Sequence, residues 1–256
     1  MKKLKINIFL ILVFIISSNV SAQINIEKFR SKSDKLGFSG TIKLNFTMLT
    51  GNKEVKLFGL EGRTDYQAKN YYTFLVAKGG YGWQGGKQFS NEALLHLRYV
   101  LKTSTIINPE VFAQIDYNKA RLLLFRSLEG VGLRFIASQS KRSALNIGVS
   151  VMYEHEKLDL PSNSIHPKDY SNIRLSNYLS YFLILKKGVN IASVVYYQPK
   201  INYFADARLL SENSLLVNLT GHMGLAVEFN LRFDSKPPDN VNALDTKTKV
   251  GFSYSF

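Results

Sequence analysis

Twelve segments of this chain place apolar side chains on every second residue. That period rules out helix for most of the length, because a strand sends successive side chains to opposite faces while a helix repeats after about 3.6 residues. The C-terminal segment is the clearest case: Val250, Phe252, Tyr254 and Phe256 share one face, and the chain closes on the aromatic. Near the other end, Phe38, Gly40, Ile42, Leu44, Phe46 and Met48 oppose Ser39, Thr41, Lys43, Asn45 and Thr47. Residues 54–67, 70–84, 88–102, 109–119, 126–138, 143–155, 170–186, 189–199 and 206–219 alternate in the same manner, and so does the run from Leu225 to Asp234. Thr50-Gly51-Asn52-Lys53 and Lys186-Lys187-Gly188 read as the turns of hairpins.

An apolar face must be hidden from water. A soluble sandwich hides it against a second apolar layer, but here nearly every apolar position has a polar neighbour, which leaves little material for such a layer. Lipid is the other solvent for it. Hydrocarbon offers no hydrogen-bond partners, so a sheet spans it only when closed, with every strand paired. The expected fold is therefore all-β: a transmembrane antiparallel up-and-down barrel of about twelve strands. An even count sets both ends of the mature chain on the periplasmic side, and the longest loops, His155 to Asp169 and the segment around Pro237-Pro238, outside. The pairs Tyr71 and Tyr72, Tyr196 and Tyr197, and Tyr203 and Phe204 read as aromatic girdles at the water interfaces.

The only long apolar run, Ile8 to Ile16, follows Lys2, Lys3 and Lys5 and precedes Val20-Ser21-Ala22. It is too short to span a bilayer as a helix and has the three parts of a cleavable secretory signal. The expected organisation is a signal peptide over residues 1–22, a short periplasmic segment over 23–36 and the barrel over 37–256. Zero cysteines remove disulfides, thiolate metal sites, cysteine nucleophiles and lipid attachment at a cysteine. Removing three signal lysines from a formal charge of +14 leaves +11 on the mature chain. Such a surplus suits anionic partners, either lipid phosphates or anionic solutes, and is also what cations dispersed over loops would give.

The stretch Leu231-Arg232-Phe233-Asp234-Ser235-Lys236-Pro237-Pro238, then Val241, Asp245-Thr246 and the ending Val250 to Phe256, resembles the salt-induced outer-membrane protein family, a bacterial domain family of unknown function. Leu97 to Gly132, through Asp116-Tyr117-Asn118 and Gly130-Val131-Gly132, is similar to the middle of that family. The resemblance implies an outer-membrane barrel and supplies no catalytic or ligand residues. Lys43, Lys53 and Lys56 depart from the acidic, glycine-rich pattern of its N-proximal part.

For chemistry, the four histidines His96, His155, His166 and His222 stand on different segments, none at metal-ligand spacing. Glu154-His155-Glu156 reads as a solvated rim, with Glu154 and Glu156 on the side away from His155. The glycines of Gly79-Gly80-Tyr81-Gly82 have no following Lys-Ser or Lys-Thr, so they read as strand curvature and not as a phosphate loop. The inward charges Lys43, Arg98, Asp116, Arg134, Arg174, Glu228, Arg232 and Asp234 are the candidate lumen lining. They either cross-link into a plug or line a narrow pore that prefers anions. Tyr254 and Phe256 are the expected assembly signal, read by the barrel-assembly machinery.

These readings converge on a monomeric barrel of the cell outer membrane with a structural or narrow-pore role, no catalysis and no cofactor or metal. Its partners would be outer-membrane lipids and lipopolysaccharide, with no nucleic acid. Two alternatives remain: a lipid-modifying enzyme with a site by the long loop around His155 and His166, and a soluble barrel that binds a ligand in its mouth.

Overall fold

The computed structural model describes residues 36–51 and 54–256. The expected signal peptide, nearly all of the short segment after it, and Asn52-Lys53 of the first turn lie outside the described residues. The strands are β1 (Gly37–Leu49), β2 (Val55–Gln67), β3 (Tyr71–Gln84), β4 (Lys87–Leu101), β5 (Ile107–Asn118), β6 (Leu123–Gln139), β7 (Ser143–Leu158), β8 (Asp169–Leu175), β9 (Asn177–Lys186), β10 (Val189–Lys200), β11 (Tyr203–Asn218), β12 (Met223–Asp234) and β13 (Leu244–Ser255). Each pairs antiparallel with its neighbours, and β13 returns to β1. The sheet is closed.

Thirteen segments make twelve staves. β8 and β9 flank Ser176, and both pair with β7 in one register, Val151 opposite Leu175 and Gly148 opposite Tyr178. The Ser176 amide still donates to the Ser150 carbonyl at 2.7 Å, so the stave is continuous in its bonding. The long loop is shorter than expected, since β7 runs to Leu158 and β8 starts at Asp169. A single 3-10 turn, Lys119–Arg121, caps the β5–β6 hairpin, with Asn118 accepting from the Arg121 amide. Both described ends of the barrel chain lie at one rim, here the terminal rim; the loops 159–168 and 235–243 lie at the opposite, far rim.

The alternation places apolar side chains outside. Ile147, Val149, Val151, Val131, Leu133, Leu225, Val227 and Phe229 face outward on their strands, while the inward positions between them are buried, apart from the half-buried Gly132. A row of rings, Phe38, Tyr66, Tyr71 and Tyr99, joins β1 to β4 near the terminal rim with centroid separations of 4.7, 6.1 and 5.0 Å. The girdle reading needs correction for two residues. Tyr72 and Tyr196 point inward and are buried, because adjacent strand residues cannot share a face; Tyr197, Tyr203 and Phe204 stay exposed.

The seam is the exception to full pairing. Gly40 and Phe256 exchange two backbone hydrogen bonds of 3.0 Å, and the ladder continues from Thr41↔Ser255 to Leu44↔Phe252. Beyond Leu44, Asn45–Leu49 is laddered to β2 alone and Leu244–Gly251 to β12 alone. The far half of the seam is parted.

Candidate functional site: the lumen and its neck

Every candidate lumen residue lies inside the barrel. Lys43, Arg98, Asp116, Arg134, Arg174, Glu228, Arg232 and Asp234 are all buried, and among the described residues nine Lys or Arg and nine Asp or Glu side chains are buried in total. Burying so many charges is tolerable only with partners, since an isolated ion taken out of water costs several kcal/mol. The geometry supplies them for most of these groups.

The densest cluster spans β5 to β8, β11 and β12. Arg126 grips Asp116 with two bonds, Nε to Oδ2 at 3.0 Å and Nη2 to Oδ1 at 2.9 Å, and reaches Glu156 at 3.4 Å. Arg208 donates to Glu154, to Glu156 at 2.9 and 3.1 Å, and to Asp234 at 2.8 Å. Since β11 is separated from β7 by two staves, these bonds cross the interior instead of running along the wall. Arg174 joins Glu154 to Asp206, both at 2.8 Å. Arg232 donates to Asp234 at 3.1 Å, and the Tyr170 hydroxyl donates to Glu156. The rim reading of Glu154 and Glu156 is thereby overturned: both carboxylates are buried as the acceptors on which the guanidinium groups converge, and only His155 faces out.

An apolar belt crosses the same interior closer to the terminal rim. Tyr72, Phe74, Val76 and Val100 from β3 and β4 pack against Tyr178, Val194, Tyr196 and Leu210 from the opposite wall. His96 lies between the Phe74 and Phe112 rings at 6.1 and 5.9 Å and meets Gln114 at 3.1 Å. Arg98 donates to Glu110 at 3.1 Å under the Phe112 and Tyr178 rings, and the Tyr178 hydroxyl donates to Glu110 at 3.0 Å. Gly148 makes this possible, because a Cβ there would occupy the space of the Tyr178 ring.

What remains open lies along β1, β2, β12 and β13. A cavity of about 180 Å³ opens at the far rim, with Lys78, Arg121, Lys247 and Lys249 among its walls and Asn45 and Thr47 at the parted seam. A second, of about 300 Å³, opens at the terminal rim between Ser39, Lys43, Asp65, Ser214, His222 and Ser253. Between them Lys43 and Glu228 form an ion pair of 2.7 Å beside a void of about 10 Å³. That is room for about one water. In the upper cavity Lys78 pairs with Glu61 at 3.3 Å and Lys247 with Glu92 at 2.9 Å, whereas Nε and Nη1 of the buried Arg121 have no hydrogen-bond partner.

Tyr254 and Phe256 lie on the outer surface at the terminal end of the seam. The Phe256 ring covers Gly40, and Tyr254 stacks on His222 at 5.9 Å. His166 is held at the far rim, where Asp239 accepts from the Ile165 and His166 amides at 2.7 and 3.1 Å and so ties the two long loops together. Among the described residues no group of His, Cys, Asp and Glu could hold a metal ion, and no helix is long and apolar enough to cross a membrane.

Residues 42–256 match the family described as "Protein of unknown function, DUF481". The chain belongs to that family. Of the curated proteins none matches this chain. Among solved structures, an outer membrane channel of the COG4313 group from Pseudomonas putida F1 superposes over 92% of this chain and 100% of that one, with a TM-score of 0.53 and 8% identity. The NanC porin superposes over 84% of this chain and 98% of its own, with a TM-score of 0.51 and 9% identity. At such identities the likeness is one of fold: a closed antiparallel barrel of twelve staves, similar to outer-membrane barrels.

Arg126, Arg208, Glu154 and Glu156, which anchor the interior, were not among the sequence candidates. Arg208 follows an Ala-Asp-Ala run that hides the period, and Arg126 follows Leu123 to Phe125, the first three residues of β6, which break the alternation. Inward parity counted back from Gly130 would have found Arg126, and counted back from Ser214 would have found Arg208.

Proposed function

We propose that this protein is a monomeric barrel of the bacterial outer membrane, with the terminal rim in the periplasm, and that it serves as a narrow conduit for small anions. The observation that carries this reading is the pair of vestibules meeting at a one-water void beside Lys43–Glu228. The rest of the cross-section is filled by the ion-pair cluster and the apolar belt, so a solute has one path, along β1 and β12. Anion preference rests on the far-rim vestibule, where Lys78, Arg121, Lys247 and Lys249 stand with Glu61, Glu92 and Asp116; Lys78 pairs with Glu61, Lys247 with Glu92, and Asp116 is held by Arg126 of the ion-pair cluster. Two cations there are not offset, and a cationic constriction selects anions. The role calls on no catalysis inside the lumen.

Planar-bilayer recording tests it. The wild-type protein is expected to show small unit conductance with chloride favoured over potassium. Replacing both Lys43 and Glu228 by Ala widens the neck and raises the conductance, and Lys247→Glu with Lys249→Glu reverses the selectivity. Absence of channels from both wild type and neck variant sinks the reading.

Lipopolysaccharide and outer-membrane phospholipids would contact the apolar wall, and Tyr254 and Phe256 would present the last strand to the assembly machinery. Membrane fractionation of wild type and a Phe256 deletion checks both placements. A salt response, implied by the resemblance, is part of this proposal too and is read by protein level in raised sodium chloride.

A further inference from the structure

On the outer wall, away from the lumen, three side chains stand in an order that the interior does not explain. His155 on β7 and Ser171 on β8 are register partners. The Ser171 hydroxyl lies 3.1 Å from His155 Nδ1, and the other ring nitrogen, Nε2, lies 3.6 Å from an oxygen of Asp169. With Nδ1 accepting from the hydroxyl, the ring proton sits on Nε2 and faces the carboxylate. The Tyr153 hydroxyl is 2.7 Å from the same Ser171 oxygen. Lys157 holds Asp169 from the far side at 3.5 Å. A nucleophile, a base in contact with it and an acid that orients the base are the elements of serine acyl transfer, recognised by geometry and not by chain position.

Their depth names the substrate. Ile147, Val149 and Val151 precede Tyr153 on the same outward face of β7, and His155 and Lys157 follow it. A strand advances about 3.3 Å per residue, so His155 stands roughly 7 Å beyond the Tyr153 position on the way to the far rim. Interfacial tyrosines mark the edge of the hydrocarbon, and the carboxylic esters of lipids lie at that boundary. Hydroxyl, imidazole and carboxylate are thus set where an acyl ester passes along the wall.

We propose that Ser171, His155 and Asp169 form a serine esterase site for long-chain acyl esters of the outer leaflet. Ser171 Oγ attacks the acyl carbonyl while its proton passes to His155 Nδ1. The C–O bond to the alcohol breaks, and that proton goes to the departing oxygen. Water then adds to the acyl-serine ester, giving a proton to His155 that returns to Ser171 as the free carboxylic acid leaves. Asp169 positions the imidazole through Nε2, and the Tyr153 hydroxyl is the donor beside the developing oxyanion. The site rests on the membrane placement and orientation proposed above but is separate from the conduit, so absence of channels leaves it standing.

The test uses the full-length barrel in detergent micelles. A fluorophosphonate probe, which needs no substrate to be guessed, is expected to modify Ser171, located by peptide mass spectrometry. Micelles of phosphatidylglycerol and of lipopolysaccharide, assayed separately for released fatty acid, distinguish the two sources of ester. Ser171→Ala and His155→Asn remove labelling and hydrolysis. Asp169→Asn lowers kcat by about 10⁴-fold if it acts as the orienting acid, with KM unchanged, which loss of packing would not give. Tyr153→Phe lowers kcat by about 10²-fold. All four positions face outward, so heat-modifiable mobility on gels confirms a folded barrel for each variant. A folded wild type that neither takes up the probe nor releases fatty acid overturns the proposal, as does a Ser171→Ala variant that hydrolyses at the wild-type rate. Lys43→Ala leaves hydrolysis unchanged.

Discussion

The wall from β5 to β8 with β11 and the wall from β13 through β1 are built from the same alternating strands, yet they solve the interior in opposite ways. On the first side Arg126, Arg174 and Arg208 bind five carboxylates, and the space is filled. On the second a single pair, Lys43–Glu228, spans a neck between cavities, and the strands beside it part beyond Leu44. The difference lies in side-chain size. Inward positions of β7 and β11 carry long charged groups that meet one another, whereas Lys43 of β1 and Lys247 and Lys249 of β13 stand among Ser39, Thr41, Asn45, Thr47, Gly251 and Ser253, which are too short to fill the space between. The first side is a brace; the second is where anything that moves must move.

Removing one guanidinium from the brace should cost most. Arg208→Ala leaves Glu154, Glu156 and Asp234 without a shared partner, and breaking a buried pair from one side costs about 3–5 kcal/mol. Urea unfolding in lipid vesicles, followed by gel mobility, measures it. Tyr178→Ala sharpens the contrast with the belt: the lost ring contacts and the void over Gly148 should cost about 3 kcal/mol in the same assay. At the neck the loss should be smaller, because Lys43 borders two cavities from which water can solvate Glu228. Lys43→Ala is expected to cost about 1 kcal/mol. Equal losses for Arg208→Ala and Lys43→Ala would erase the distinction between the two walls. The least effect belongs to Asp239→Ala, which frees the Ile165 and His166 amides at a solvated rim. It should leave unfolding within about 1 kcal/mol of wild type while making the 159–168 loop several-fold more sensitive to limited proteolysis.

Strand order, closure and the twelve staves were legible because a single property, the period of two, recurs wherever one face of a strand is apolar and the other looks into the barrel. Inward charge was legible for the same reason, and Arg98, Asp116, Arg134 and Asp234 could be placed inside from parity alone. Partnership was not. Whether Glu154 faces water or Arg208 depends on which staves oppose each other across a closed ring, and those two residues lie 54 positions apart in the chain. The outward group was hidden differently. A search for His and Ser on one strand passes over His155 and Ser171, which meet only once the β7–β8 register is set. Aromatic pairs misled for a local reason: Tyr71 and Tyr72 look alike in sequence, but one joins the girdle and its neighbour the belt.

Among the described residues nine buried cations stand against nine buried anions, so the buried side chains taken together carry no net charge on which a membrane voltage can pull. A Donnan potential changes with the ionic strength outside the cell, and a buried set balanced as a whole would feel it only as a weak torque on its dipoles. If the barrel responds to voltage, the moving charges are Lys78, Lys247 and Lys249 at the far cavity, and the response should vanish when they are neutralised while the brace is left whole.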